Sequence, residues 1–227
     1  EALKPFLEKV DKGIIVLCRT SNPGAGEFQD LPIPIDKFVS GSREIIELIQ
    51  ITGKMEIPLY LAVAYRVSRY WDKNQNCALV VGATYPTELE KVRKLAPNMP
   101  ILIPGVGTQG GEVQKAVVAG MDKKRSGMII NSSSGIIFAS REEGETVGQA
   151  ARRETQKLRE TINYYRENPE GLTDSQKELV GALFNIGAIK FGAFRLKLHE
   201  KQPTAPLSPI YIDLRILRSV PPETKLL

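Results

Sequence analysis

The chain has 227 residues, 42% of them apolar, 25% charged and 7% aromatic, the balance of a globular protein with room for a large core or for more than one domain. Thirty-one lysines and arginines against 26 acids leave a net charge of +5, scattered rather than gathered in an aromatic-studded stripe, which disfavours a nucleic acid partner. No apolar run approaches the roughly 20 residues of a membrane span, no signal-peptide core opens the chain, and Cys18 and Cys77 lack CxxC spacing, which suits reduced thiols in the cytoplasm better than a disulfide scaffold or a thiolate metal site.

Four short apolar runs, 13–18 (GIIVLC), 77–81 (CALVV), 100–103 (PILI) and 127–130 (GMII), are continuous rather than alternating, as strands buried on both faces read. Helical patterns lie between them. Residues 58–72 carry Leu59, Val63, Val67 and Tyr70 on one side, 87–96 opens on the capping box Thr87-x-x-Glu90, and 112–119 closes at Gly120. After the fourth strand comes an amphipathic segment, 145–167, with Val147, Ala151, Leu158, Ile162 and Tyr165 at helical spacing, ended by Asn168-Pro169-Glu170-Gly171. This βα series predicts an α/β fold with a parallel sheet, either doubly wound or a (β/α)8 barrel. A second unit begins near 172. Its helix starts at Thr173 with a capping box to Gln176, and its strands, 188–197 and 209–214, flank a Pro-rich connection. That connection holds the lone His199, read as a surface loop residue, which removes Ser-His-Asp, Cys-His and most zinc chemistry. Four βα repeats are half of a barrel, and the chain opens on Glu1, so it reads as a piece of a longer protein, lacking the front of the first unit and the back of the second.

In parallel α/β folds the site lies at the carboxyl ends of the strands. There the sequence places Arg19-Thr20-Ser21-Asn22-Pro23-Gly24, Gly82-Ala83-Thr84-Tyr85-Pro86, Pro104-Gly105-Val106-Gly107-Thr108-Gln109-Gly110-Gly111 and Asn131-Ser132-Ser133-Ser134-Gly135. Ordinary turns use the same residues, but four such loops on one rim predict close main-chain approach to a ligand. The third leads into a helix N-terminus, which favours a phosphate. By contrast, Glu142-Glu143-Gly144-Glu145 reads as a helix start, and Asp122-x-Lys124, which precedes a strand, as part of a solvated turn at the stability end.

The segments GIIVLCRTSNPGAGEFQDL (13–31), VVGATYP (80–86), LIPGVGTQGG (102–111) and INSSSGIIFAS (130–140) closely resemble the second half of orotidine 5′-phosphate decarboxylase, in the branch whose motifs read TSNP and PGVGAQGG. The match covers about residues 1–165. ALFNIGAIKFGAFRLK (182–197) and SPIYIDLR (208–215) resemble the start of orotate phosphoribosyltransferase, in the order of a fused UMP synthase.

This resemblance implies strands five to eight of a (β/α)8 barrel over residues 1–167, a linker at 168–171, and the N-terminal segment of a type I phosphoribosyltransferase at 172–227. It implies decarboxylation of orotidine 5′-phosphate to UMP without metal or organic cofactor, with orotate, phosphoribosyl diphosphate and Mg2+ serving the transferase, and a cytoplasmic homodimer. The family's catalytic D-x-K-x-x-D array would lie upstream of Glu1, and Asp122-Lys123-Lys124 cannot replace it because Gly127 stands where the second Asp belongs. What carries over is binding. Ser21, with Thr20, would meet the pyrimidine edge, and Gln109, with Gly107, Gly110 and Gly111, the phosphate or base. Ser134 and Gly135 occupy the family's S-R-G phosphate grip, with Ser134 in place of its arginine. A compensating cation would be sought at Arg125 or Arg141. Lys197 matches the L-K-S-G lysine that meets phosphoribosyl diphosphate, although 198–207 replaces the short S-G link. Two other readings stay open: another phosphate-binding barrel, and a non-catalytic remnant, for which Ser134 and the stretched 198–207 loop are the motives.

Overall fold

The computed structural model describes residues 3–107, 110–171, 174–194 and 208–213. The chain divides into two compact units, Glu1–Pro169 and Glu170–Leu227. In the first, α1 (Lys4–Leu7) leads to β1 (Ile14–Arg19), followed by α2 (Gly26–Gln29), β2 (Pro32–Pro34), α3 (Ile35–Phe38), α4 (Ser42–Thr52), β3 (Glu56–Pro58) and α5 (Leu59–Arg66). Strand and helix then alternate through β4 (Cys77–Val81), α6 (Pro86–Leu95), β5 (Ile101–Pro104), α7 (Gly110–Gly120), β6 (Met128–Asn131), α8 (Ser134–Ile137) and α9 (Val147–Glu167).

The four predicted strands form one sheet in the order β1-β4-β5-β6, and every neighbouring pair is parallel. All four therefore end at one edge, where the loops that follow them gather. Burial on both faces, expected of each strand, holds best for β4, where Cys77, Ala78, Leu79 and Val81 are all buried. In β1 and β6 exposure alternates instead. Their register explains why: Leu17 pairs with Val80, Val80 with Leu102 and Leu102 with Ile129, one row on one face. Leu17 is 60% and Ile129 48% exposed, whereas the other face buries Leu79, Val81, Ile101 and Ile103 completely.

The segment between β1 and α5 escaped the sequence reading. It holds the antiparallel β2–β3 ribbon and α4, which ends where Gly53 takes a left-handed φ of 72° and its N–H caps Ile49. Ile35, Leu48 and Ile57 from this segment are fully buried in the core. α5 buries Tyr60, Leu61, Ala64 and Tyr65 rather than the predicted Leu59 and Val63. It continues as a π-helical turn, Val67–Trp71. That turn brings Tyr65 and Tyr70 five residues apart onto one carboxylate: their hydroxyls donate to Glu44 at 2.6 and 2.7 Å, and these bonds, Tyr65 first, hold Glu44 below its ordinary pKa.

Two helix starts differ from expectation. α6 begins at Pro86, one residue early, because proline's fixed φ suits the first helical position. Thr87 is then already inside the first turn, no side chain caps this helix, and Glu90 pairs with Lys94 instead. α9 does have a capping box, built by Thr146 and Gln149. Glu145 before it pairs with Arg153 at 3.1 Å, so the acidic run belongs to the helix start. Leu158, Ile162 and Tyr165 pack on the core, while Val147 is exposed and Ala150 is buried in place of the predicted Ala151.

The amino ends of β5 and β6 are tied by Arg93 in the last turn of α6, 7% exposed. Its Nε donates to Gly120 O at 2.8 Å, one terminal nitrogen to Ala96 O and Met99 O at 2.9 and 2.7 Å, the other to Gly127 O at 2.8 Å. Beside it, Asp122 accepts the N–H groups of Lys124 and Ser126, each at 2.8 Å. Lys123, Lys124 and Arg125 are exposed there, as expected of a solvated turn.

The second unit comprises α10 (Asp174–Asn185) and an antiparallel pair, β7 (Ile189–Phe194) and β8 (Ser208–Ile212). Buried Asp213 pairs with Lys190 at 3.6 Å. Thr173, His199, Lys197 and the stretch 198–207 lie outside the described residues.

Candidate functional site

The carboxyl ends of β1, β4, β5 and β6 form the candidate rim. β1 ends in an irregularity: between Leu17 and Arg19 the register against β4 shifts, and Arg19 falls opposite Val81. Cys18 and Arg19 are consequently both buried, at the end of a strand that otherwise alternates. Cys18 donates to Tyr60 O at 3.1 Å, and burial pushes its thiol up to about 12. Burial likewise raises Cys77, to about 11. Both are free thiols, held protonated and so poor nucleophiles at neutral pH.

Thr20 and Ser21 come next. The Gln29 side chain reaches back from α2 to Thr20, accepting its N–H at 2.9 Å and donating to its hydroxyl at 3.2 Å. Ser21 is exposed on the rim but lies against buried Gly82. A Cβ at Gly82 would come within 1.9 Å of Ser21 Oγ, so only glycine after β4 leaves the serine where it is. Gly82 N–H also donates to Arg19 O at 2.8 Å, and Ala83 N–H to Pro104 O at 3.0 Å. These bonds prolong the sheet into the loops.

After β5 the chain turns at Gly105, with φ 81°, and reaches Gly107. Gly110 and Gly111 are the first two residues of α7. Gln109 lies outside the described residues. Gly107 and Gly135 share a cavity of about 150 Å³ with Ser132, Ile136 and Lys157. Ser134, first residue of α8, is exposed and does not line it. Arg125 is not the compensating cation: it sits at the opposite edge of the sheet, donating to Glu167 O at 3.0 Å. Arg141 is exposed and does not line the cavity either. The charged residues that do line it are Lys157 and Glu154, both from α9.

Arg19 was read only as the first residue of a loop, although a charged residue closing an apolar run just before Thr-Ser-Asn-Pro is a visible signal. It is 3% exposed. One terminal nitrogen donates to Thr20 O at 3.0 Å and Gln29 Oε1 at 3.2 Å, the other to Asp30 Oδ2 at 3.0 Å. Its guanidinium lies over the Tyr85 ring, 4.2 Å from the centroid, a cation–π distance. Its buried Nε meets no acceptor among the described residues.

A parallel α/β sheet with small, hydroxyl-rich loops at its carboxyl edge defines a class of ligand-binding enzyme folds. No family model matches the chain. By sequence it is homologous to orotidine 5′-phosphate decarboxylases. It is 42% identical over 165 residues to that of Janthinobacterium sp. (strain Marseille), covering 73% of this chain and 52% of the relative. It is 42% identical over 166 residues to that of Cupriavidus metallidurans, covering 73% and 53%. The chain thus spans about half the length of the curated relatives it matches. Among solved structures, the "Structure of Leishmania donovani UMP synthase" aligns with a TM-score of 0.55 and 35% identity over 96% of this chain and 40% of that one. A Toxoplasma gondii protein described as a putative orotidine-monophosphate decarboxylase aligns with a TM-score of 0.54 and 28% identity over 74% and 56%. The first unit accordingly has the α/β architecture of half a (β/α)8 barrel. No helix among the described residues is long and apolar enough to cross a membrane.

Proposed function

We propose that this chain is the substrate-holding half of an orotidine 5′-phosphate decarboxylase, residues 1–167, joined through 168–171 to the opening of an orotate phosphoribosyltransferase at 172–227, within a protein that makes UMP. The observation that carries the reading is the rim itself. TSNP, GATYP, PGVG and NSSSG stand at the carboxyl ends of four adjacent parallel strands, in a chain 42% identical to decarboxylases over that unit. The row Leu17–Val80–Leu102–Ile129, exposed at its two ends and half-buried between, is what a layer of barrel interior presents before the other four strands close over it. For the transferase segment, support comes from the UMP synthase alignment, which runs through 96% of the chain.

In this reading Ser21, fixed against Gly82, meets the pyrimidine edge through its hydroxyl and main chain, with Thr20 beside it. Gly107, Gly110 and Gly111 admit the phosphate to main-chain N–H groups at the start of α7, Gln109 reaches the phosphate or base, and Gly135 completes that wall, with Ser134 beside it on the rim. These residues hold substrate and product alike. The differential stabilisation that drives decarboxylation comes from a Lys/Asp array outside the 227 residues, without metal or organic cofactor. Lys197 meets phosphoribosyl diphosphate, which enters the transferase with Mg2+ and orotate, and the working enzyme is a cytoplasmic homodimer.

The test is UMP formation by the full-length gene product, from orotidine 5′-phosphate alone and from orotate with phosphoribosyl diphosphate and Mg2+. Both reactions are expected, with neither catalysed by the 227-residue chain alone. A folded full-length protein that binds UMP but forms none from either substrate would overturn the enzymatic reading in favour of a non-catalytic remnant.

A further inference from the structure

We infer that Arg19 is a positioning residue for the nucleotide base, acting through the Thr20–Ser21 segment rather than by touching substrate. This rests on the decarboxylase reading of the rim. Four observations bear it. The register shift at the end of β1 puts Arg19, next to Cys18, in the buried layer instead of on the open face that Leu17 occupies; bulges re-aim side chains in this way. From there the guanidinium makes a planar fork to three elements at once: the Thr20 carbonyl, the Gln29 and Asp30 side chains of the α2 region, and the Tyr85 ring after β4. Gln29 in turn grips both the N–H and the hydroxyl of Thr20, so carbonyl, amide and side chain of the residue before Ser21 are all held by one network. On its other side Ser21 is backed by Gly82, whose N–H bonds the Arg19 carbonyl at 2.8 Å. Arg19 thus fixes the loop from both its side chain and its main chain.

A lysine could keep the charge but not the fork. The buried Nε of Arg19 finds no acceptor among the described residues, whereas the buried donors of Arg93, at the other edge, are all matched. A hydrogen bond to the base forms only where the fork holds the loop, so loss of the fork should be felt at Ser21 without any contact to the ligand.

The experiment is UMP titration and steady-state decarboxylation in the full-length protein, comparing wild type, Arg19→Lys, Gln29→Ala, Ser21→Ala and the doubles Arg19→Lys/Ser21→Ala and Gln29→Ala/Ser21→Ala, with melting temperature recorded for each. Arg19→Lys should weaken UMP binding about tenfold or more and raise KM while kcat changes little, the signature of lost uniform binding. Each double variant should lose clearly less UMP affinity than the product of its two single losses, because the arginine and the glutamine act in part through the Ser21 hydroxyl that the alanine removes. Gln29→Ala cuts the tie to Thr20 while leaving the guanidinium in place, and gives the same reading if Arg19→Lys does not fold. Losses that multiply in the doubles, or single variants that lower only the melting temperature, would overturn the inference alone. A Ser21→Ala protein that binds UMP as wild type does would overturn the decarboxylase reading of the rim, and the inference with it.

Discussion

Two arginines, each over nine-tenths buried, stand at opposite edges of the same parallel sheet. Arg93, at the amino ends of β5 and β6, directs its donors to main-chain carbonyls and leaves no buried donor unmatched. Arg19, at the carboxyl end of β1, spends its terminal nitrogens on a loop carbonyl and two side chains, stacks on Tyr85, and leaves Nε without an acceptor among the described residues. The difference follows from what each edge has to do. At the amino edge the chain needs only to be held together, and carbonyls already fixed by helix and strand ends are ready acceptors for a fork. At the carboxyl edge, where the candidate site lies, the arginine is anchored chiefly by side chains, which can themselves position neighbours. Barrel-type α/β folds divide stability and function between their two faces in the same sense.

The largest effect that would test this division is on stability. Arg93→Ala strands the carbonyls of Gly120, Ala96, Met99 and Gly127 in a buried site, and should cost about 3 to 5 kcal/mol, roughly 10 °C or more in the melting temperature of a unit this size. UMP affinity of the protein that remains folded should hardly move. Normal melting with weakened UMP binding would erase the distinction between the two edges.

Gly82→Ala probes the rim from the other side. The new Cβ would fall 1.9 Å from Ser21 Oγ and 3.1 Å from Ser21 N, which forces the hydroxyl out of place and presses on the loop. UMP affinity should fall about tenfold, the loss of one hydrogen bond, with a stability loss of roughly 1 kcal/mol. If differential scanning shows a large melting shift while the affinity stays at the wild-type value, Ser21 is packing rather than binding.

The smallest effect is at the turn beside Arg93. Burial would raise the Asp122 carboxyl, but the N–H groups of Ser126 and Lys124 and the Ser126 hydroxyl outweigh it and hold the group below its ordinary value. A depressed folded pKa stabilises the fold at pH above about 3.9, the unfolded aspartate value, and that contribution is lost as pH falls through the folded pKa. Asp122→Ala should therefore lower stability at pH 7 by about 1 kcal/mol, and the gap to wild type should close below roughly pH 4. A gap of constant size across that window would mean that the turn owes nothing to the ionised carboxylate.

The apolar runs at 13–18, 77–81, 100–103 and 127–130 were legible as strands because β-branched and leucine side chains in unbroken runs have few other uses in a chain of this composition. Their parallel order followed from the helices between them. The rim loops were legible as well, since Gly, Ser, Thr and Pro cluster where each strand ends. The β2–β3 ribbon was not: three-residue strands such as Pro32–Pro34 carry too little pattern to separate from turn. α6 was displaced by one residue because Thr87 satisfied the capping rule while Pro86, its neighbour, satisfied a stronger one. Ser134 matched a motif position, yet it is Lys157, twenty-three residues further on, that lines the cavity with Gly107 and Gly135, a meeting that no local spacing announces.

From residue order alone came the strand–helix alternation, the edge at which ligand-facing loops must lie, and the kinship of those loops, because these depend on short-range pattern and on the directionality of parallel strands. Tertiary structure decided which residues hold the loops in place. Whether Arg19 is buried depends on a register shift against β4, and whether Ser21 can sit where it does depends on the missing Cβ of Gly82, sixty-one residues away in the chain. Such contacts are set by how strands pair and pack, an energy that belongs to the assembled sheet and to none of its segments.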